Sequence, residues 1–255
     1  MLRPRIIPCL LVKNNGLVKT VKFKEPKYVG DPINSVRIFN EKEVDELIVL
    51  DIDATINQTE PNYQLIESLA YECNMPLCIG GGVRTLDQIT KIISLGVEKV
   101  VICTSAIENE NFIKEAADVV GSQSIAVCLD LKKNFISKNY SLCTRSGTKN
   151  TNIDAVEYSN KLSDMGAGEL ILNFIDRDGT MKGYDLEFIS EIKEIINIPL
   201  TVIGGAGSYD DISSLFHNFG IIGAAAGSLF VFKGKYRAVL IKYPNQKEKN
   251  NILAH

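Results

Sequence analysis

Histidine is nearly absent from this chain. Only two occur in 255 residues, His217 and His255. The first falls in a helix pattern and the second is the last residue, so neither stands near a strand end. That excludes a histidine-based metal site and a Ser-His-Asp triad, and no cofactor is expected. Also missing are a C-x-x-C pair, an apolar run long enough to cross a bilayer, and internal linkers or low-complexity segments. The opening Met1-Leu2-Arg3-Pro4-Arg5 runs straight into a strand pattern and lacks the apolar stretch of a secretion signal. A net charge of −3 gives no field for nucleic acid or anionic membrane. A cytosolic protein is expected. Six cysteines fit that expectation as reduced thiols: Cys9, Cys78, Cys103 and Cys128 lie in apolar runs, with Cys73 and Cys143 elsewhere.

What is present is a regular alternation. Apolar runs at 5–11, 46–53, 76–80, 99–104, 124–130, 169–175, 199–203 and 221–226 read as strands. Helix patterns lie between them, near 33–45, 62–73, 86–95, 110–120, 154–165, 186–196 and 209–219, with a last one near 235–243. Continuously apolar strands alternating with helices predict a parallel sheet covered by helices. Eight such units in this length predict one (β/α)8 TIM barrel domain over 1–255, ending in a loose polar tail at 244–255. The chain also echoes itself. Asp51-Ile52-Asp53 returns as Asp176-Arg177-Asp178, Gly80-Gly81-Gly82 as Gly204-Gly205-Ala206, and Thr104-Ser105 as Ser228-Leu229. A near-constant offset over four strands predicts two half-barrels related by a pseudo-twofold axis.

In this fold the chemistry sits where strands end and loops begin. Gly81 and Gly82 follow the third strand, Gly204 and Gly205 the seventh, and Gly227-Ser228 the eighth. Glycines there either bring backbone N–H groups close to a phosphate or merely make tight turns. Their pairing across the half-barrels favours phosphate, with a second site near Gly82 and Thr104, and so a ligand phosphorylated at both ends. Asp130 closes the fifth strand and is the candidate for acid–base work. Asp51, Asp176 and Asp178 also stand at strand ends, where either ligand contacts or turn capping would employ them. Gly179 follows in the same loop. Lys19 lies in a lysine-rich stretch at 12–32, read as a long loop that is either solvated or a lid over an anion. At the opposite mouth Arg5, Glu46, Lys99 and Glu169 begin the first, second, fourth and sixth strands, two cations and two anions poised to form a ring across the axis. On position alone such a ring serves stability.

The runs RIIPCLLVK, GDP, DELIVLDI, GGGVRT, GSQSIAVCLD, GAGELIL, IDRDGT and GGAG, in order along nearly the whole chain, resemble the cyclase subunit of imidazole glycerol phosphate synthase. The resemblance implies a barrel that takes ammonia from a glutaminase subunit docked at its bottom face. It turns Arg5, Glu46, Lys99 and Glu169 into an ammonia gate, and Lys19, Asp51, Gly81, Gly82, Thr104, Asp178, Gly179, Gly204, Gly205, Gly227 and Ser228 into the binding set for a phosphorylated small molecule. The family pattern has two catalytic aspartates. Asp130 matches one, while the position after the first strand holds Leu11, which carries no proton. Cys103, Asn173, Phe174, Ile203 and Gly227 depart from the pattern at the same face, whereas the bottom ring is complete. A divergent branch of the family is associated with surface-polysaccharide pathways. There the barrel and its glutaminase supply ammonia to a third protein that amidates a nucleotide-activated amino sugar. The loss at one rim and retention at the other imply membership of that branch. An authentic histidine-pathway cyclase and a non-catalytic docking subunit are the other two readings.

Overall fold

A computed structural model describes residues 3–134 and 139–254. Met1, Leu2, residues 135–138 and His255, one of the two histidines, lie outside it. The eight apolar runs are strands: Arg5–Lys13 (β1), Leu47–Asp51 (β2), Leu77–Gly80 (β3), Lys99–Ile102 (β4), Ile125–Lys133 (β5), Glu169–Phe174 (β6), Leu200–Ile203 (β7) and Gly223–Ala226 (β8). Each pairs in parallel with the next, and β8 pairs with β1 in the register Arg5↔Gly223 to Pro8↔Ala226, so the sheet closes into a (β/α)8 barrel. Closure removes every edge within the ring.

Helices cover the outside: Pro32–Glu41 (α1), Tyr63–Glu72 (α2), Leu86–Ser94 (α3), Asn111–Val120 (α4), Ala155–Lys161 (α5), Leu186–Ile195 (α6), Tyr209–Phe219 (α7) and Gln246–Ala254 (α8). Their starts are written locally. Thr85 and Ser208 form capping boxes with Gln88 and Asp211, and Asp31 caps α1 ahead of Pro32. Apolar stripes such as Ile89 and Ile92 of α3, or Ile189 and Ile192 of α6, are fully buried against the sheet.

Three expectations need correction. The stretch 12–32 is no loop: Gly16–Val21 folds back on the end of β1 with Leu11 opposite Val18, and Lys24–Gly30 adds a further antiparallel strand. The half-barrel echo extends to this feature, because Tyr140–Thr144 folds back on β5 with Asp130 opposite Cys143, followed by Lys149–Asp154. The helix expected near 235–243 is a small hairpin of Phe232–Lys233 and Ala238–Val239, turned at Gly234 with φ +70°. The polar tail is not loose but forms α8, which packs on α7. Ile252 is buried, Asn245 and Glu248 cap the helix reciprocally, and Lys249 reaches Asp45 at 3.1 Å. Among the described residues no helix is long and apolar enough to cross a membrane.

Candidate functional site at the two rims of the barrel

Side chains alternate in and out along a strand, so every second residue of the ring faces the axis. Along β1 these are Arg5, Ile7, Cys9 and Leu11. The lowest layer is the four-charge ring. Arg5 bonds Glu46 and lies 2.8 Å from Glu169, while Lys99 lies 3.0 Å from Glu46 and 2.7 Å from Glu169. Each cation thus touches both anions. Thr201 Oγ donates to Glu169 at 2.6 Å and accepts from Arg5 at 3.2 Å, and the Cys78 thiol donates to Glu46 at 2.9 Å. Burial opposes the charges on Arg5 and Lys99, yet attraction to the two glutamates outweighs it and holds both above their ordinary range. Burial likewise opposes the Glu169 charge, and the same cations keep it below the usual carboxylate range. The circuit is charge-balanced, which makes it tolerable at a partly buried position.

Above the ring the interior is apolar. Ile7, Ile48, Val101, Ile171, Ile203 and Ala225 pack with Cys9, Cys78 and Cys128, bordered above by Leu11, Leu50 and Cys103. Burial pushes the Cys9 thiol up to about 11, and a hydrogen bond with Cys103 together with burial keeps Cys128 high. These thiols are neutral, and they act as small apolar residues.

The upper rim opens into a cavity of about 120 Å³. Asp130 projects into it from β5. Burial pushes its carboxyl up to about 7, opposed by the amide of Asn173, which donates to Asp130 Oδ1 at 2.9 Å. Leu11 lines the same cavity, so the wall opposite in the half-barrel scheme offers hydrocarbon. Lys19, brought in by the hairpin, is buried and donates to the carbonyl of Cys9. That carbonyl lies just beyond the last β1–β8 register pair, Pro8↔Ala226, and Lys19 takes the place of a ladder donor. Gly227 makes the space: a Cβ there would collide with the lysine Nζ. Burial lowers the Lys19 amine below the ordinary lysine range, with Cys9 and Asp178 opposing.

The remaining expected residues fall on this rim with mixed employment. Asp51, Gly81, Thr104, Asp178 and Gly227 line the cavity. Asp51 also caps the chain, accepting from the backbone of Asp53 at 2.9 Å and Ala54 at 3.1 Å. Asp178 accepts from Thr20 Oγ at 2.6 Å and from Phe23 N at 3.1 Å, latching the first hairpin down. Gly179 packs so tightly on Thr20 O that no side chain fits. Asp176 accepts from Lys133 N at 2.9 Å. Gly204, Gly205 and Gly82 have φ of 98°, 116° and 73°. A Cβ on Gly205 would strike Gly183 O, so the turn geometry by itself demands glycine there. Ser228 starts a short turn after β8 and accepts from Arg237 at 3.2 Å.

Two contributors were invisible in the sequence reading. The turn of the second hairpin lies across the rim beside Thr104: Arg145 N donates to Thr104 Oγ at 2.9 Å and Ser146 Oγ to Ile52 O at 3.0 Å. Arg237, from the C-terminal hairpin, reaches Ser228 on the opposite side of the rim. Gly147 and Gly234 in their turns were the available signals.

Residues 5–237 match the family model described as histidine biosynthesis protein. The chain is 55% identical over 253 residues to a protein of Vibrio vulnificus provisionally named imidazole glycerol phosphate synthase subunit hisF3, covering 99% of this chain and 97% of that one. It is 55% identical over 252 residues to a provisionally named HisF subunit of Leptospira borgpetersenii, with 99% of each covered. To imidazole glycerol phosphate synthase subunit HisF of Lactococcus lactis it is 37% identical over 254 residues, covering 100% and 97%.

Proposed function

Because the chain belongs to the histidine-biosynthesis family, as a HisF-type barrel, we propose that it receives ammonia from a glutaminase subunit at its lower rim and releases it at the upper rim for a reaction other than imidazole ring closure. The observation that carries this reading is the contrast along one strand. Arg5 at the bottom of β1 completes a closed ring, while Leu11 at its top faces the cavity without a proton to give. Ring opening needs only one cation to swing aside, because each glutamate keeps the other as partner. Beyond it a neutral molecule the size of ammonia meets hydrocarbon and protonated thiols, whereas ammonium meets no counter-charge and pays the cost of a buried unpaired ion. The released ammonia amidates an activated amino sugar held with a third protein.

The test uses the barrel with its glutaminase. With ammonium salt and the bisphosphate substrate of ordinary cyclases, the purified barrel is expected to show no turnover comparable to theirs. Lys99→Met leaves the ring open, so amidation in the full complex should lose efficiency with glutamine, as ammonia leaks back through the ring, but not with ammonium. Ordinary cyclase turnover would reject the reassignment, and equal loss with both nitrogen sources would reject the conduit. A second reading, a cyclase of the histidine pathway working on one carboxyl, is favoured by Asp130 itself. A buried acid poised at about 7 suits proton transfer at neutral pH.

A further inference from the structure

Three basic side chains gather on one side of the upper rim. Lys19 and Lys27 are register partners across the first hairpin, so their side chains leave the same face of the ribbon. Like charges directly opposite one another weaken a strand pair. Arg237 approaches from the C-terminal hairpin: it donates to Ser228 Oγ at 3.2 Å and to Gly179 O at 3.4 Å, and its Cζ lies 4.6 Å from the centre of the Phe232 ring. The Nζ of Lys27 lies 5.7 Å from the same ring. Lys19 sits against Gly227, the neighbour of Ser228. Among the described residues none of the three forms an ion pair, although weaker pairs are plentiful elsewhere on the surface. Asp178 acts on the Lys19 amine without bonding it, since its own hydrogen bonds come from Thr20 Oγ and Phe23 N.

The three differ in depth. Lys19 is buried inside the rim, Arg237 is half-buried and Lys27 is exposed. They trace a path from the cavity outward over Phe232. Ser228 accepts from Arg237, so its own hydroxyl hydrogen is free to donate. A phosphate monoester carries up to about two negative charges on a single tetrahedron and would satisfy only one end of such a path. We propose that Lys19, Lys27 and Arg237 form an anion track that takes a diphosphate group, with one phosphoryl at Ser228 and Lys19 and the second held outside by Arg237 and Lys27. The inference rests on reading the upper rim as the site of a phosphorylated ligand and narrows that ligand to a diphosphate.

Titration calorimetry of the full chain in metal-free, low-salt buffer separates the possibilities, with inorganic pyrophosphate and inorganic phosphate as probes. Pyrophosphate should bind at least about tenfold more tightly than phosphate, since a charge-assisted hydrogen bond is worth roughly that factor or more. Lys27→Ala and Arg237→Ala should each remove most of this preference while leaving phosphate affinity nearly unchanged, and added salt should erode it. Arg237→Ala risks unseating its hairpin. The Lys27 side chain is exposed and makes no hydrogen bond in the described structure, so its variant is the decisive one, with a thermal melt to show an intact fold. Equal affinity for the two anions, or a Lys27→Ala protein that keeps the preference, overturns the diphosphate track alone. Absence of binding by either anion overturns the phosphorylated-ligand reading beneath it, and neither result bears on the ammonia ring.

Discussion

Replacing Asp130 with asparagine should make this protein more stable at neutral and alkaline pH. The carboxyl is buried, and its folded value of about 7 compares with 3.8 for a free aspartate. The native state therefore binds an extra proton between those two values, and stability falls as pH rises through that window. Above it the folded protein carries a buried carboxylate at a cost on the order of 4 kcal/mol. Below it both states are protonated and the cost vanishes. Asparagine is the same size, and its carbonyl still accepts from Asn173, so the substitution removes the charge without opening a cavity. Its new amide group needs an acceptor, which reduces the gain to roughly 2–4 kcal/mol. In a domain of this length that corresponds to a rise in melting temperature on the order of 5–10 °C at pH 8. Calorimetric melts of both proteins at pH 5 and pH 8 provide the check, and the gain should shrink by more than half at the lower pH. A gain that ignores pH, or a loss at pH 8, would mean that Asp130 is not held against its own solvation.

Thr201→Val should cost about 1–3 kcal/mol in urea unfolding, because Glu169 loses a 2.6 Å hydrogen bond inside the charge ring and Arg5 an acceptor; an unchanged midpoint would show that the ring does not need that hydroxyl. Gly227→Ala should destabilise by roughly 1–3 kcal/mol, through a methyl group driven into the Lys19 Nζ. In the same variant the Lys19 amine should become accessible to amine-labelling reagents, read by peptide mass, and continued protection would place Lys19 elsewhere.

The sequence reveals most where burial imposes a period. All eight ring strands are apolar runs because both their faces are covered, and six helices show a buried stripe behind a side-chain cap. The two ribbons that extend β1 and β5 escaped because burial imposes no alternation on them. Lys24–Gly30 is exposed over most of its length, and Tyr140–Thr144 is buried at four of five positions. The C-terminal segment misled in the opposite sense. Its apolar AVLIKY run resembles a helix, but Gly234 and Arg237, both at positive φ, turn it into a hairpin. For the site, inward parity along β1, β2, β4 and β6 was enough to assemble the ring from Arg5, Glu46, Lys99 and Glu169. Nothing in the spacing could reveal that Thr104 meets Arg145 or that Ser228 meets Arg237. Those contacts join segments that are remote in sequence and meet only when the hairpins fold over the rim.

The same parity explains how the two rims can diverge independently. Arg5 and Leu11 are separated by the inward layers of Ile7 and Cys9, so a change at one end leaves packing at the other untouched. Leu11 also does more than offer no proton. It extends the hydrocarbon lining upward by one layer on the β1 side, while Asp130 stands at the corresponding level of β5. An unpaired aspartate at both places would have to share the cavity with Lys19 and each other, at the expense of two buried charges. With leucine there, Asp130 has no carboxyl facing it from position 11 of β1, and burial holds its own carboxyl up at about 7. Under the proposed reading, ammonia leaving the apolar interior therefore meets a rim that neither traps it reliably as ammonium nor supplies the second proton-transfer group that ring closure requires. On that reading Leu11 suits a barrel that delivers ammonia better than one that consumes it.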